Sequence, residues 1–121
     1  MPFPKSARIL RSADFRIVYD QGLRVSNPLL AAFCLARADG AIPGHKLPIR
    51  GPRLGVTATR ALGGAVVRNR IKRRLREAFR MHRSGLAPRW DIVINPRRAA
   101  IGASFAEIEQ ALMKVIGRCG R

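Results

Sequence analysis

Phe15, Val18 and Tyr19 recur at the i, i+3, i+4 spacing of a short helix, with Ser12 placed to cap its start and Gly22 just past its end. From Leu29 to Ala36 the chain is apolar on both faces, which predicts a buried strand. Between Arg53 and Thr59, Leu54, Val56 and Ala58 alternate with Arg53, Gly55, Thr57 and Thr59, the period of two that gives a strand one polar face. The longest helical signal follows Gly63 and Gly64, where Val67, Ile71, Leu75, Ala78 and Phe79 share one face. Trp90 to Asn95 reads as a further strand ended by Pro96, and Ser104 with Glu107 makes a capping box for a last helix. Phe105, Ile108, Leu112 and Ile116 give that helix a core face. Helix, strands, helix, strand, helix predicts an α+β sandwich in which three helices cover an apolar sheet.

A chain of 121 residues, 47% of them hydrophobic, is long enough for one domain with its own core, expected over residues 1–121. Two segments break the pattern. Residues 1–11 carry Pro2, Pro4, Lys5, Arg8 and Arg11 without a sustained period, which suits a flexible basic arm. Residues 37–52 hold Gly40, Pro43, Gly44, Pro48, Gly51 and Pro52, a Pro/Gly-rich exposed loop.

Charge then narrows the function. With 24 Lys and Arg against 7 Asp and Glu, the net charge is +17. Neutralising phosphates releases condensed counterions, so such a protein should bind nucleic acid with strong salt dependence. Arginine dominates, and its planar fork suits bidentate phosphate contacts and stacking on bases. An anionic membrane surface would attract the same charge, but no stretch approaches the roughly 20 apolar residues of a membrane span and no secretory segment opens the chain. A cytoplasmic protein with no membrane partner is expected. Cys34 and Cys119 show neither C-x-x-C nor Cys/His spacing, which predicts two separate reduced thiols and no metal.

The charge is concentrated. Arg68, Arg70, Lys72, Arg73, Arg74, Arg76, Arg80 and Arg83 are opposed only by Glu77, and Asn69, Lys72, Arg73, Arg76 and Arg80 cluster opposite the apolar face of the long helix. Solvated faces usually mix signs, because like charges at i and i+4 repel, as Lys72 with Arg76 and Arg76 with Arg80 would here. That repulsion favours a phosphate-binding ridge over an ordinary wet surface.

Gly63, then Ala65-Val66-Val67-Arg68-Asn69-Arg70-Ile71-Lys72-Arg73, then Arg76-Glu77-Ala78-Phe79-Arg80 closely resembles the signature of the bacterial ribonuclease P protein family. The resemblance covers residues 8–116: Asp14-Phe15 and Val18-Tyr19 look like the family's first helix, Leu54-Gly55-Val56-Thr57 like its strand before the motif, and Asp91-Ile92-Val93-Ile94 like its last strand. Ala61 stands where the family often carries a second basic residue after Arg60. The resemblance implies a mainly parallel sheet with a left-handed βαβ crossover through the Arg-rich helix, against the usual hand. It also implies that Arg68, Asn69, Arg70, Lys72, Arg73, Arg76, Arg80 and Arg60 contact the ribonuclease P RNA. Phe15, Tyr19, Phe33, Thr57 and Thr59 would line a cleft for the single-stranded 5′ leader of precursor tRNA, where aromatic faces stack on any base. From spacing alone Phe15 reads as core, and Tyr19 as either core or cleft.

The chain offers little catalytic chemistry of its own. Asp14, Asp20, Asp39, Glu77, Asp91, Glu107 and Glu109 show no metal-site spacing, and His45 and His82 have no positioned partner in sequence. By resemblance, the RNA subunit holds the catalytic Mg²⁺ ions, and a monomeric protein assists endonucleolytic removal of the leader. The alternative is a structural ribosomal RNA-binding protein with the same size and charge. A DNA-binding regulator fits less well, since base readout usually mixes Asn, Gln and Ser among arginines, whereas Asn69 stands nearly alone.

Overall fold

The computed structural model describes residues 7–37 and 51–119. The elements are α1 (Ser12–Gln21), β1 (Leu23–Ser26), β2 (Leu30–Ala36), β3 (Arg53–Val56), α2 (Ala65–His82), β4 (Trp90–Pro96) and α3 (Phe105–Cys119). The strands form one sheet in the order β1-β2-β4-β3. The α+β class is as expected, but the sheet is mixed, not mainly parallel: β1–β2 and β2–β4 are antiparallel, and β3–β4 is parallel through the α2 crossover.

Alternation along the strands sorts the side chains into two cores. Leu30, Ala32, Cys34, Leu54, Ile92 and Ile94 point to one face, covered by Ile71, Leu75, Ala78 and Phe79 of α2 and by Ile108, Leu112 and Val115 of α3. On the other face Val93 joins Val18 of α1 and Ile9, with Phe15, Tyr19, Phe33 and Leu35 partly buried around them. Burying each large side chain contributes about 1.5–3 kcal/mol, so α2 and α3 are held mainly by this packing. The capping box forms as the sequence implies: Ser104 N donates to Glu107 Oε1 (3.0 Å) and Glu107 N to Ser104 Oγ (3.2 Å), which holds the Glu107 carboxyl below its usual range.

Three local expectations change. Ser12 is the first helical residue and Arg11 occupies the cap position without a side-chain bond. The strand expected over 53–59 ends at Val56, because Thr57 N reaches Ile94 O (2.9 Å) and the next ladder bond would need an N–H from Pro96, which has none. β1 was not expected at all. It is built by an Asn27 turn, in which Asn27 Oδ1 accepts from Leu29 N and Leu30 N, both at 3.0 Å.

Of the expected basic arm, residues 1–6 lie outside the described residues, and Ala7 to Leu10 runs along the edge of β3. Ile9 N donates to Leu54 O (2.9 Å), Arg8 bridges Leu54 in parallel, and Ile9 is buried. Most of the expected loop, residues 38–50, likewise lies outside the described residues.

Cys34 and Cys119 are joined as a disulfide, against the expectation of two separate thiols. The register turns Cys34 toward the helical core, where the last turn of α3 lands, and the Cα atoms are 6.1 Å apart across 85 residues of sequence. Reduction, or Cys119→Ser, is expected to lower the thermal midpoint by roughly 10 °C, equivalent to about 2–4 kcal/mol. An unchanged midpoint under reductant would show that the bond contributes nothing.

Candidate nucleic-acid interface

Gly63 adopts φ 133°, a conformation that favours glycine, and turns the chain from the 3₁₀ turn at Arg60–Leu62 into α2. Because Ile71, Leu75, Ala78 and Phe79 are buried, the side of the helix opposite them, around Asn69 and Arg73, faces outward. Asn69, Arg70 and Arg73 are exposed, while Arg68, Lys72, Arg76 and Arg80 are half-buried along the flanks. Arg60 is exposed in the turn before the helix.

The cations on α2 have different local duties. Arg74 is turned inward, its Nη1 donating to Ala103 O (3.0 Å) and tying α2 to the start of α3. Arg80 pairs with Glu77, which raises the arginine and lowers the carboxyl from their ordinary values. Arg68, Arg70, Lys72, Arg73 and Arg76 have no acidic partner among the described residues. Partial burial, and then the positive charge of Arg8 on the neighbouring edge segment, holds the Arg76 guanidinium below the usual arginine value. A partly desolvated guanidinium with no acidic partner among the described residues, as at Arg76, favours an incoming anion.

The second surface lies on the opposite face of the sheet. Phe33, Val93 and Gly55 form one cross-strand row, and Ala31 and Asn95 begin the next. Gly55 is required here, since a Cβ would come within 2.7 Å of Phe15 Cε1, so α1 sits directly on β3. Phe15 is half-buried in the small core and forms the inner wall of this surface. Tyr19 meets Phe33 edge-on, with ring centroids 4.9 Å apart, and its hydroxyl lies 2.9 Å from Thr57 Oγ1 and 2.7 Å from Asn95 Oδ1. Phe15, Tyr19, Phe33 and Thr57 are therefore brought together. Thr59 is not: it is exposed at the start of the 3₁₀ turn, beyond the end of β3, and its side chain caps nothing.

A buried ion network fixes α1 over the sheet. Arg53 Nε and Nη2 bind Asp91 at 2.9 and 2.7 Å, and Arg53 Nη1 reaches Asp14 on α1 at 3.4 Å. Arg37 also pairs with Asp91 and donates to Gly51 O (2.8 Å) and Pro88 O (2.7 Å). Burial opposes the Arg53 charge, but the bonds to Asp91 and the charges of Asp91 and Asp14 outweigh it and raise its pKa overall. Arg11 also binds Asp14, at 2.9 Å, and Tyr19 is five residues along the helix that Asp14 anchors.

The ribonuclease P family model matches residues 3–120. The chain belongs to the ribonuclease P protein family. A ribonuclease P protein component of Maridesulfovibrio salexigens is 34% identical over 123 residues, covering 100% of this chain and 93% of the relative. One from Xylella fastidiosa is 38% identical over 120 residues, covering 98% of this chain and 79% of the relative. The solved RNase P protein of Staphylococcus aureus superposes with a TM-score of 0.78 at 31% identity, covering 94% of this chain and 95% of that one.

For a ribonuclease P protein, the acidic residues matter by where they are spent. Asp14 and Asp91 are occupied by guanidinium groups, Glu77 by Arg80, Glu107 by its own helix start and Glu109 by His82 at 2.9 Å. Among the described residues no three His, Cys, Asp or Glu side chains gather where they could hold a metal. Sequence reasoning missed Asn95, Gly55 and the Asp14–Arg53–Asp91–Arg37 network. The signal for Asn95 was present, since Asp91, Val93 and Asn95 alternate onto one face of β4.

Proposed function

We propose that this chain serves ribonuclease P by gripping the catalytic RNA with the outer side of α2 and the 5′ leader of precursor tRNA with the sheet face beside Tyr19. The observation that carries this is the set of α2 cations left without acidic partners, with Arg76 held next to Arg8. Arg68, Asn69, Arg70, Lys72, Arg73 and Arg76 supply phosphate contacts, joined by Arg80 once it exchanges Glu77 for an RNA oxygen, and by Arg60 where β3 leads into α2. Phe15, Tyr19 and Phe33 supply apolar walls and Thr57 a hydroxyl, a surface that accepts leaders of varied sequence. Thr59 reaches the leader only at the outer end of this strip.

The reaction is hydrolysis of one phosphodiester, which leaves a 5′-phosphate on the tRNA and releases the leader. The Mg²⁺ ions that assist it are assigned to the RNA subunit; this chain binds and orients. It acts as a monomer within the ribonucleoprotein, in the cytoplasm. No helix among the described residues is long and apolar enough to cross a membrane.

Affinity capture with this chain from cells of its own source is expected to recover ribonuclease P RNA. Recovery of ribosomal RNA in its place would favour the structural ribosomal reading. At the cleft, Tyr19→Ala is expected to weaken holoenzyme binding of precursor tRNA by about 1–3 kcal/mol while binding of mature tRNA stays as it was. Equal losses for the two RNAs would place Tyr19 in the core alone.

A further inference from the structure

Tyr19 Oη stands between Asn95 Oδ1 at 2.7 Å and Thr57 Oγ1 at 2.9 Å. A phenol has one proton, and an amide oxygen can only accept. The Tyr19 proton therefore goes to Asn95, and the Thr57 hydroxyl donates to Tyr19 Oη. With its oxygen engaged by Tyr19, the Asn95 amide keeps two N–H donors on Nδ2 that meet no acceptor among the described residues.

The register shows what surrounds those donors. Asn95 is paired with Ala31 on β2, and Ala31 with Ser26 on β1, so small side chains lie next to it across the sheet. Tyr19 stands over it, edge-on to Phe33. A half-buried donor pair thus lies in a strip with an aromatic wall on one side and little side-chain bulk on the other. An unpaired base could stack on that wall and bring its edge to the amide.

We infer that Asn95 reads one base of the leader, donating to O4 of uracil or O6 of guanine and so preferring these bases to cytosine or adenine, which carry an amino group at that place. The inference rests on the assignment of this strip to the leader. A keto oxygen accepts the amide proton. The exocyclic amino group of cytosine or adenine would set N–H against N–H and leave a donor unsatisfied, a difference worth about three- to tenfold in affinity. Asn95 is a specificity residue by this reading; Tyr19 positions it.

The test uses holoenzyme reconstituted with ribonuclease P RNA and precursor tRNAs in which each leader position in turn carries U, G, C or A. At one position the keto bases are expected to bind about three- to tenfold more tightly. Asn95→Asp keeps an acceptor for Tyr19 but has no donors, and should abolish or reverse that preference. If no position prefers keto bases, or if Asn95→Asp leaves the ratios as they were, the inference is wrong and the leader assignment survives. If precursors bind no more tightly than mature tRNA whatever their leaders, the leader assignment itself is wrong.

Discussion

Protein carrying Arg73→Glu together with Arg76→Glu is expected to bind ribonuclease P RNA at least about a hundredfold more weakly, since each charged hydrogen bond lost contributes about 1.5–3 kcal/mol. The slope of log affinity against log salt should also become shallower by roughly 1.4–1.8, the share of two phosphate contacts. Arg73 is exposed on the outer side of α2, and Arg76 is partly desolvated beside Arg8, so neither substitution removes an internal ion pair. Folding should survive, because the apolar side of α2 is untouched. The measurement is a binding titration across a salt series, and parallel lines for variant and parent would mean that these arginines do not meet phosphate.

Asp91→Ala should have the largest effect on stability. Asp91 receives Arg53 through two bonds and Arg37 through a third, with all three side chains at most 5% exposed. Removing it leaves guanidinium charge buried with only Asp14 nearby, at an expected cost of about 3–5 kcal/mol. Denaturant unfolding measures this. Asp91→Asn, which keeps one acceptor and remains folded more readily, should show a smaller loss of the same sign. If both variants match the parent, the network does not anchor α1. Because α1 carries Phe15 and Tyr19, precursor binding by the Asn variant should fall along with stability.

What could be read in the sequence depended on whether a residue's partners were local. α2, β4 and α3 were legible because Ile71, Leu75 and Phe79, or Ile108 and Leu112, repeat at a period set by one core. The cationic outer side followed from the same wheel. β1 was not legible, since only Val25 of its four residues is buried and its pairing is imposed by the Asn27 turn. The Cys34–Cys119 bond and the Asp14–Arg53–Asp91 network join residues that no spacing rule connects; the sheet register and the packing of α1 and α3 on the sheet bring them together. The end of β3 was misjudged for a related reason, because alternation continues to Thr59 while the ladder stops opposite Pro96. The mixed sheet, too, is a property of pairing and not of any single strand.

Cleavage of precursor tRNA by ribonuclease P RNA at low Mg²⁺, scored as leader release with and without this chain, tests the central claim most directly. The result expected is that adding the chain restores cleavage and tightens binding of precursor over mature tRNA, and that the Arg73→Glu, Arg76→Glu protein fails to do so. Equal leader release in the presence and absence of the unaltered chain would contradict it.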